Sequence, residues 1–310
     1  MLPALLTPLL RRLLLTLPVA FGVLTITFFM VHMIPGDPVD LILGDLANPL
    51  DKIQMRTKLG LDKSIGLQYL NFLSNAVQGN FGESLFSKKP VSDLIFNRIG
   101  ATFELASTAM FFAILFGLPL GVLAAVKRLT FYDRALVTLG LVGMSFPGFF
   151  LGPLLIYLFA IILGWLPVGE RGGFSNLILP AFSLALPLGA ILLRMTRASM
   201  LDVLHEDYVR VAKAKGLGNF KVYYVHALRN ALIPVITIIG LQFGSVLTGT
   251  VITETIFDWP GLGTLLFDAI QRRDYPLVQG CVLIVSLIYV SVNFITDIAY
   301  ILAHPKMRMS

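Results

Sequence analysis

Cysteine is nearly absent from this chain of 310 residues, and charge is scarce. Cys281 stands alone, so no intrachain disulfide and no thiolate metal cluster can form. It lies inside an apolar run and reads as a buried structural thiol. The four histidines, His32, His205, His226 and His304, are scattered, and no H-E-x-x-H pair exists. No G-x-x-x-x-G-K-[ST] phosphate loop is present; Gly216-Leu-Gly218 and Gly261-Leu-Gly263 lack the lysine and a preceding strand. These absences exclude a metalloprotease, a nucleotide hydrolase and a disulfide scaffold. Charged residues make up 14% of the chain, against about 25% in soluble domains. The apolar runs carry no array of ionisable groups, which argues against a membrane enzyme. It argues equally against an ion-coupled secondary transporter, which would use intramembrane carboxylates or inverted repeats with broken helices. Glu104 and Asp297 lie at helix ends, where a structural contact and a role in transport both remain open.

What the chain does have is apolar length. The mean hydropathy is +0.81 and 56% of residues are hydrophobic, a membrane composition. Uncharged runs cover 13–36, 105–126, 135–169, 172–193, 230–253 and 275–296. Each reaches the roughly 20 residues that cross a hydrocarbon core of about 30 Å. The first follows Arg11 and Arg12 as a signal peptide would, but it is too long and no small-x-small cleavage site follows, so a retained helix is expected. The run 135–169 is too long for one straight span, and Pro147, Pro153 and Pro167 predict kinks and an ordered exit loop. Residues 37–98 differ, with seven acids and seven bases after the break at Pro35-Gly36-Asp37-Pro38. Tyr69, Leu70, Phe72, Leu73 and Val77 predict one amphipathic helix there. The expected organisation is a terminus and first helix over 1–36, a small cap over 37–98 and a five-helix core over 99–310.

Fourteen bases fall on one side of the six spans: Arg11, Arg12, Lys127, Arg128, Arg134, seven between 194 and 229, Lys306 and Arg308. The short loops opposite hold Arg171, Arg272 and Arg273 alone, so both termini and the central loop are expected in the cytoplasm. The net charge of +6 therefore reflects topology and anionic lipid before nucleic acid. Gly117-x-x-x-Gly121, Gly148-x-x-x-Gly152 and Gly240-x-x-x-Gly244 are candidate close-approach sites between helices, although glycine is common in such spans.

The polar stretch 194–230 interrupts the core. Val203, Leu204, Tyr208, Val211, Ala212 and Ala214 recur near helical spacing and predict one apolar face. Glu206 and Arg210 are placed for an i,i+4 ion pair, and Gly216 supplies a helix stop through the left-handed conformation. Pattern alone leaves two uses open, a helix lying on the bilayer surface or one docking into a protein groove.

Glu206-Asp207-Tyr208-Val-Arg210-Val-Ala212-Lys-Ala214-Lys215-Gly216 resembles the signature loop of binding-protein-dependent ABC importer permeases. The similarity is to the first ("B") permease of the dipeptide/oligopeptide/nickel group. Supporting motifs run through the chain: His32-Met-Ile-Pro35-Gly36-Asp37-Pro38, Leu59-Gly60-Leu61-Asp62, Gly79-Asn-Phe-Gly82, Ser145-Phe-Pro147, Thr253-Glu254-Thr-Ile-Phe257-Asp-Trp259-Pro-Gly261 and Arg272-Arg273-Asp274-Tyr275-Pro276. Arg210-Val211-Ala212 stands where the wider superfamily has Glu-Ala-Ala, and Arg229 where it has a proline, as in the peptide subgroup. Glu206 is thus only a neighbouring candidate for the acidic contact.

The resemblance implies an all-α membrane protein of six transmembrane helices with the type I importer permease fold and an extracytoplasmic cap between helices 1 and 2. It implies a coupling loop made of Glu206, Asp207, Tyr208, Arg210, Ala212, Ala214, Gly216, Leu217 and Gly218. The implied partners are a homologous second permease, two ABC ATPases that use ATP and Mg, an extracytoplasmic binding protein and the lipid bilayer, with no nucleic acid. The chain would bind no cofactor, and no substrate-path residue is assigned. Dipeptides are the expected cargo, with oligopeptides, glutathione and nickel as alternatives. Phe257 and Trp259 are expected to touch the binding protein, unless Trp259 anchors at the membrane interface.

Overall fold

A computed structural model describes residues 18–29, 32–33, 38–44, 47–58 and 60–303. Arg11, Arg12, Lys306, Arg308, His304, Leu59 and the Pro35-Gly36-Asp37 break lie outside them. The described elements are helical. α1 (Pro18–Phe29) is the described part of the first span, and α2 (Pro38–Leu43), α3 (Pro49–Lys58) and α4 (Ile65–Val77) form the cap. The core contains α5 (Val91–Val126), the pair α6 (Phe131–Ser145) and α7 (Gly148–Ile162), and α8 (Phe174–Val203). α9 (Asp207–Ala214), α10 (Lys221–Gly249), α11 (Val251–Ile256), α12 (Leu262–Gln271) and α13 (Tyr275–Ala303) follow.

α5, α8, α10 and α13 are each long and apolar enough to cross a membrane. α5 spans 36 residues, about 54 Å at 1.5 Å per residue. It exceeds the hydrocarbon core because its first turns, from Val91 to Arg98, stand in what the charge pattern assigned to the cap. α6 and α7 meet at 102°, with Pro147 extended at the joint. That is a near right-angle break, sharper than the expected kinks. Pro147 lacks an amide hydrogen and disfavours helix at Phe146, so two short helices replace one rod.

The pair nevertheless makes one crossing. Ala101 and Leu105 of α5 pack with Leu177 and Ala181 of α8, while Ala125 packs with Met200 at the other end. α5 and α8 therefore run parallel, and the chain must return to the starting side between them. Arg171, just before α8, donates to Glu104 at 2.9 Å and fixes that return.

Close approaches explain the tight core. A β-carbon on Gly117 would stand 2.8 Å from the Gly189 carbonyl oxygen, and one on Gly121 would stand 2.7 Å from that of Leu193. Gly240 faces Thr296 and Gly244 faces Tyr289 across the α10–α13 seam. Only half of the second motif behaves so: Gly152 lies against Ile256 and Phe257, whereas Gly148 faces open space. Small residues replace side-chain interdigitation by backbone contact, which drives association in lipid. Met110, Leu188, Leu192, Val235 and Val292 fill the space between the four long helices.

Candidate functional site

The loop between α8 and α10 folds into α9, an eight-residue helix held beneath the spans. Val209 and Ala212, spaced i,i+3, are buried against Val122 and Ala125 of α5, Met200 of α8 and Val222, Ala227 and Ala231 of α10. This corrects the expected apolar face. Val211 and Ala214 lie on the opposite side with Tyr208 at its edge, and all three are exposed, Tyr208 by 38% and Val211 by 51%. The inward stripe is satisfied within the chain, so the outward stripe is the one left for a partner. Asp207, Arg210, Lys213 and Lys215 rim it, and Phe220, 71% exposed, extends it while stacked on Tyr224 at 5.0 Å.

The expected Glu206–Arg210 ion pair does not form. Glu206 occupies the extended N-cap position, outside the helical spacing, and Arg210 sits 3.6 Å from Asp207 instead. Gly216 does adopt the left-handed conformation, with φ +78°. Its amide donates to the Lys213 carbonyl at 3.0 Å, and the Leu217 amide donates to that of Ala212 at 3.4 Å. This is the paired hydrogen-bond pattern that closes a helix C-terminus, with Leu217 packed on the same apolar cluster as Ala212. Gly218 is exposed beyond it.

A buried ion pair braces this region. The Arg197 guanidinium of α8 donates from Nε to Asp133 Oδ1 at 2.6 Å and from Nη2 to Oδ2 at 2.9 Å. Asp133, 3% exposed at the start of α6, also accepts the Leu129 amide at 2.9 Å. The fork geometry fixes α6 to α8 only six residues before α8 ends.

At the other end of the core, a second polar junction escaped sequence reasoning. Glu254 is fully buried, and its carboxylate accepts from the Thr102 and Thr250 hydroxyls at 2.7 and 2.9 Å and from the Thr264 amide at 3.0 Å. That amide belongs to the first turn of α12, where the helix dipole favours negative charge. Thr102 in turn accepts the Leu262 amide at 2.8 Å. Gly261 is required here, because any β-carbon would overlap the Glu254 carboxylate. The Thr253-Glu254-Thr motif was the available signal, but its partners lie up to 152 residues away.

Phe257 and Trp259 are corrections as well. Each is 1% exposed, so neither presents a side chain to a binding protein or to the membrane interface. Trp259 donates its indole N–H to the Ala101 carbonyl at 2.8 Å and packs on Leu105 and Leu177. Phe257 packs on Leu155 and Leu179. Asp274, also buried, accepts from the Ser84 hydroxyl at 2.5 Å and the Leu85 amide at 3.1 Å, tying the cap to the start of α13. Among the described residues no three His, Cys, Asp or Glu side chains are placed to hold a metal.

Two family models match. Residues 117–309 fit the binding-protein-dependent transport system inner membrane component, and residues 5–106 fit the N-terminal membrane component of the same systems. The chain belongs to the binding-protein-dependent ABC importer permeases. The permease is 46% identical to the di/tripeptide transport system permease protein DppB of Pseudomonas aeruginosa, over 96% of this chain and 97% of that one. It is 44% identical to the glutathione transport system permease protein GsiC of Escherichia coli K12, with the same coverage. Its fold is similar to that of the MetNI methionine ABC transporter in an inward-facing form, with TM-score 0.58 at 18% identity, over 68% of this chain and 96% of that one. Members of this family are membrane-spanning permease subunits without an ATPase site of their own. α9 falls within the inner-membrane match and the cap within the N-terminal match.

Proposed function

We propose that this permease is one of two homologous transmembrane subunits of an ATP-driven importer of short peptides, with dipeptides the main cargo. The observation that carries the proposal is α9: its inner face is packed onto α5, α8 and α10, and its outer face is free. Two ABC ATPases, hydrolysing ATP with Mg, would grip Tyr208, Val211 and Ala214 within the rim of Asp207, Arg210, Lys213 and Lys215, with Glu206 beside it. Gly216, Leu217 and Gly218 would set the angle at which the loop leaves that contact. Because Val209 and Ala212 are wedged among three spans, a displacement of α9 moves the cytoplasmic ends of all three together. The Arg197–Asp133 fork adds α6 to that unit. Rigid-body rocking of this kind alternates access to a path between the two permeases.

The 46% identity to a di/tripeptide permease supports peptide cargo, and the 44% identity to a glutathione permease supports a γ-linked tripeptide as the second reading. The extracytoplasmic binding protein would land on the cap and on α12, where Phe267 and Ile270 are 42% and 55% exposed. Both termini and α9 would face the cytoplasm of a bacterial inner membrane. The deciding experiment is uptake of labelled dipeptides and glutathione by a deletion strain, alongside purification of the permease. Co-purifying ATPases with dipeptide uptake are the expected result. Glutathione uptake alone selects the second reading, and a permease that purifies without ATPases overturns both.

A further inference from the structure

The cap borders an open cavity of about 690 Å³, within the range of small-molecule sites. Its walls are α4, the end of the first span, the loop 79–88 and the first turns of α13. α4 contributes Gln68, Asn71 and Asn75, at i, i+3 and i+7, and therefore on one face. Beside them Tyr69 and Phe72 pack on Phe28, with ring centres 5.2 and 5.6 Å away, and Phe28 and Phe72 line the cavity too. A solvated helix face usually carries Lys and Glu, yet α4 has no charged residue at all. Asparagine is also a poor occupant of a helix interior.

Asn80 and Gln279 bring the carboxamides around the cavity to five. Among the described residues, the side chains of Asn71, Asn75 and Gln279 make no hydrogen bond within the chain. The hydroxyl of Tyr275, another wall residue, is buried with no hydrogen-bond partner. Glu83 and Lys88 also line the cavity, one of each sign, and neither forms an ion pair among the described residues.

We propose that this cavity binds a short zwitterionic peptide on the outer face of the permease. Carboxamides donate and accept together, as peptide groups require. Glu83 supplies an acceptor for an α-ammonium group, Lys88 a donor for an α-carboxylate, and Phe28 and Phe72 an apolar wall for a side chain. One chain builds all of it. It rests on the peptide-import proposal and deepens it by giving cargo a place to dwell beside the membrane.

The test uses the intact importer in nanodiscs without its binding protein and measures equilibrium binding of tritiated Ala-Phe. Saturable binding is expected, weakened at least tenfold by Asn71→Ala with Asn75→Ala. Both asparagines are exposed and alanine is the better helix former, so folding should survive. Glu83→Gln and Lys88→Gln should each weaken the free dipeptide while leaving its acetylated, amidated form unaffected. Absence of saturable binding, or binding indifferent to all four substitutions, overturns the proposal. So does thiol crosslinking from Asn75→Cys that captures the binding protein while no dipeptide binds. If dipeptide uptake persists in those cases, only the cavity assignment falls; if no dipeptide is taken up at all, the import proposal falls with it.

Discussion

The two ends of the helical core handle polarity in opposite ways. At one end, Glu254 is sealed from water and every oxygen is engaged by a hydroxyl or an amide. At the α9 end, Asp207, Arg210 and Lys213 are exposed and only Asp207 and Arg210 are paired, loosely, while the apolar residues Val209 and Ala212 do the anchoring. A buried polar group is strongly directional and expensive to leave unmatched, so it fixes one geometry. An exposed charge is screened and replaceable, so it suits a face that must engage and move. The Glu254 end is built to hold its shape, and under the proposed function the α9 end would transmit a push.

The largest effect should come from breaking the Glu254 junction. Glu254→Ala leaves the Thr102 and Thr250 hydroxyls and the Thr264 amide without their acceptor. At about 1–3 kcal/mol per unsatisfied buried group, the loss over these three donors is roughly 3–9 kcal/mol. Thermal unfolding in detergent should fall by many degrees, and an unchanged melting point would mean that the carboxylate is not what fastens α12 to α5.

Asp133→Asn should follow, because Arg197 then keeps one neutral acceptor where it had a charged fork. The expected loss is about 1.5–3 kcal/mol. Uptake should drop more than ATPase activity does, since α6 would no longer travel with α8. Parallel loss of both activities would reduce the pair to a purely structural brace.

Gly216→Val is expected to rank third in stability and to be specific to coupling. An L-residue in the left-handed region costs about 1–2 kcal/mol, and a β-branched one is worse placed. No neighbour within 4 Å obstructs a β-carbon, so the penalty is conformational, and Gly216→Asn should restore much of the function. ATPases should still co-purify while uptake falls about tenfold. Normal uptake by Gly216→Val would show that this turn does not set the angle of the coupling contact.

Arg210→Glu should do least, changing uptake less than twofold, because its 3.6 Å contact with Asp207 is fully in water. A large loss would blur the contrast between the two ends and make Arg210 a buried partner of an ATPase.

Much was legible in the residues alone. Run lengths located the four long spans and the bent pair, and the charge scarcity argued against other membrane machines. Gly216 was recognisable because a helix stop is written in three or four consecutive residues. The break at Pro147 was partly legible, since a missing amide hydrogen announces a bend without stating its angle. Phe257 and Trp259 were misjudged for a related reason. Aromatic residues in an extracytoplasmic loop look like contact residues until the tertiary structure folds that loop back onto Ala101 and Leu179.

Sequence by itself therefore determined what depends on neighbours along the chain: hydropathy, helix stops, turn chemistry and the signature loop. Tertiary structure alone decided which face of α9 points outward, because Tyr208 and Val211 are as apolar as Val209 and Ala212 and only the packing of α5, α8 and α10 distinguishes them. It also decided that Glu254 is a structural node, since burial and hydrogen bonding to Thr102 require two helices to meet across 152 residues, and no local pattern encodes that meeting.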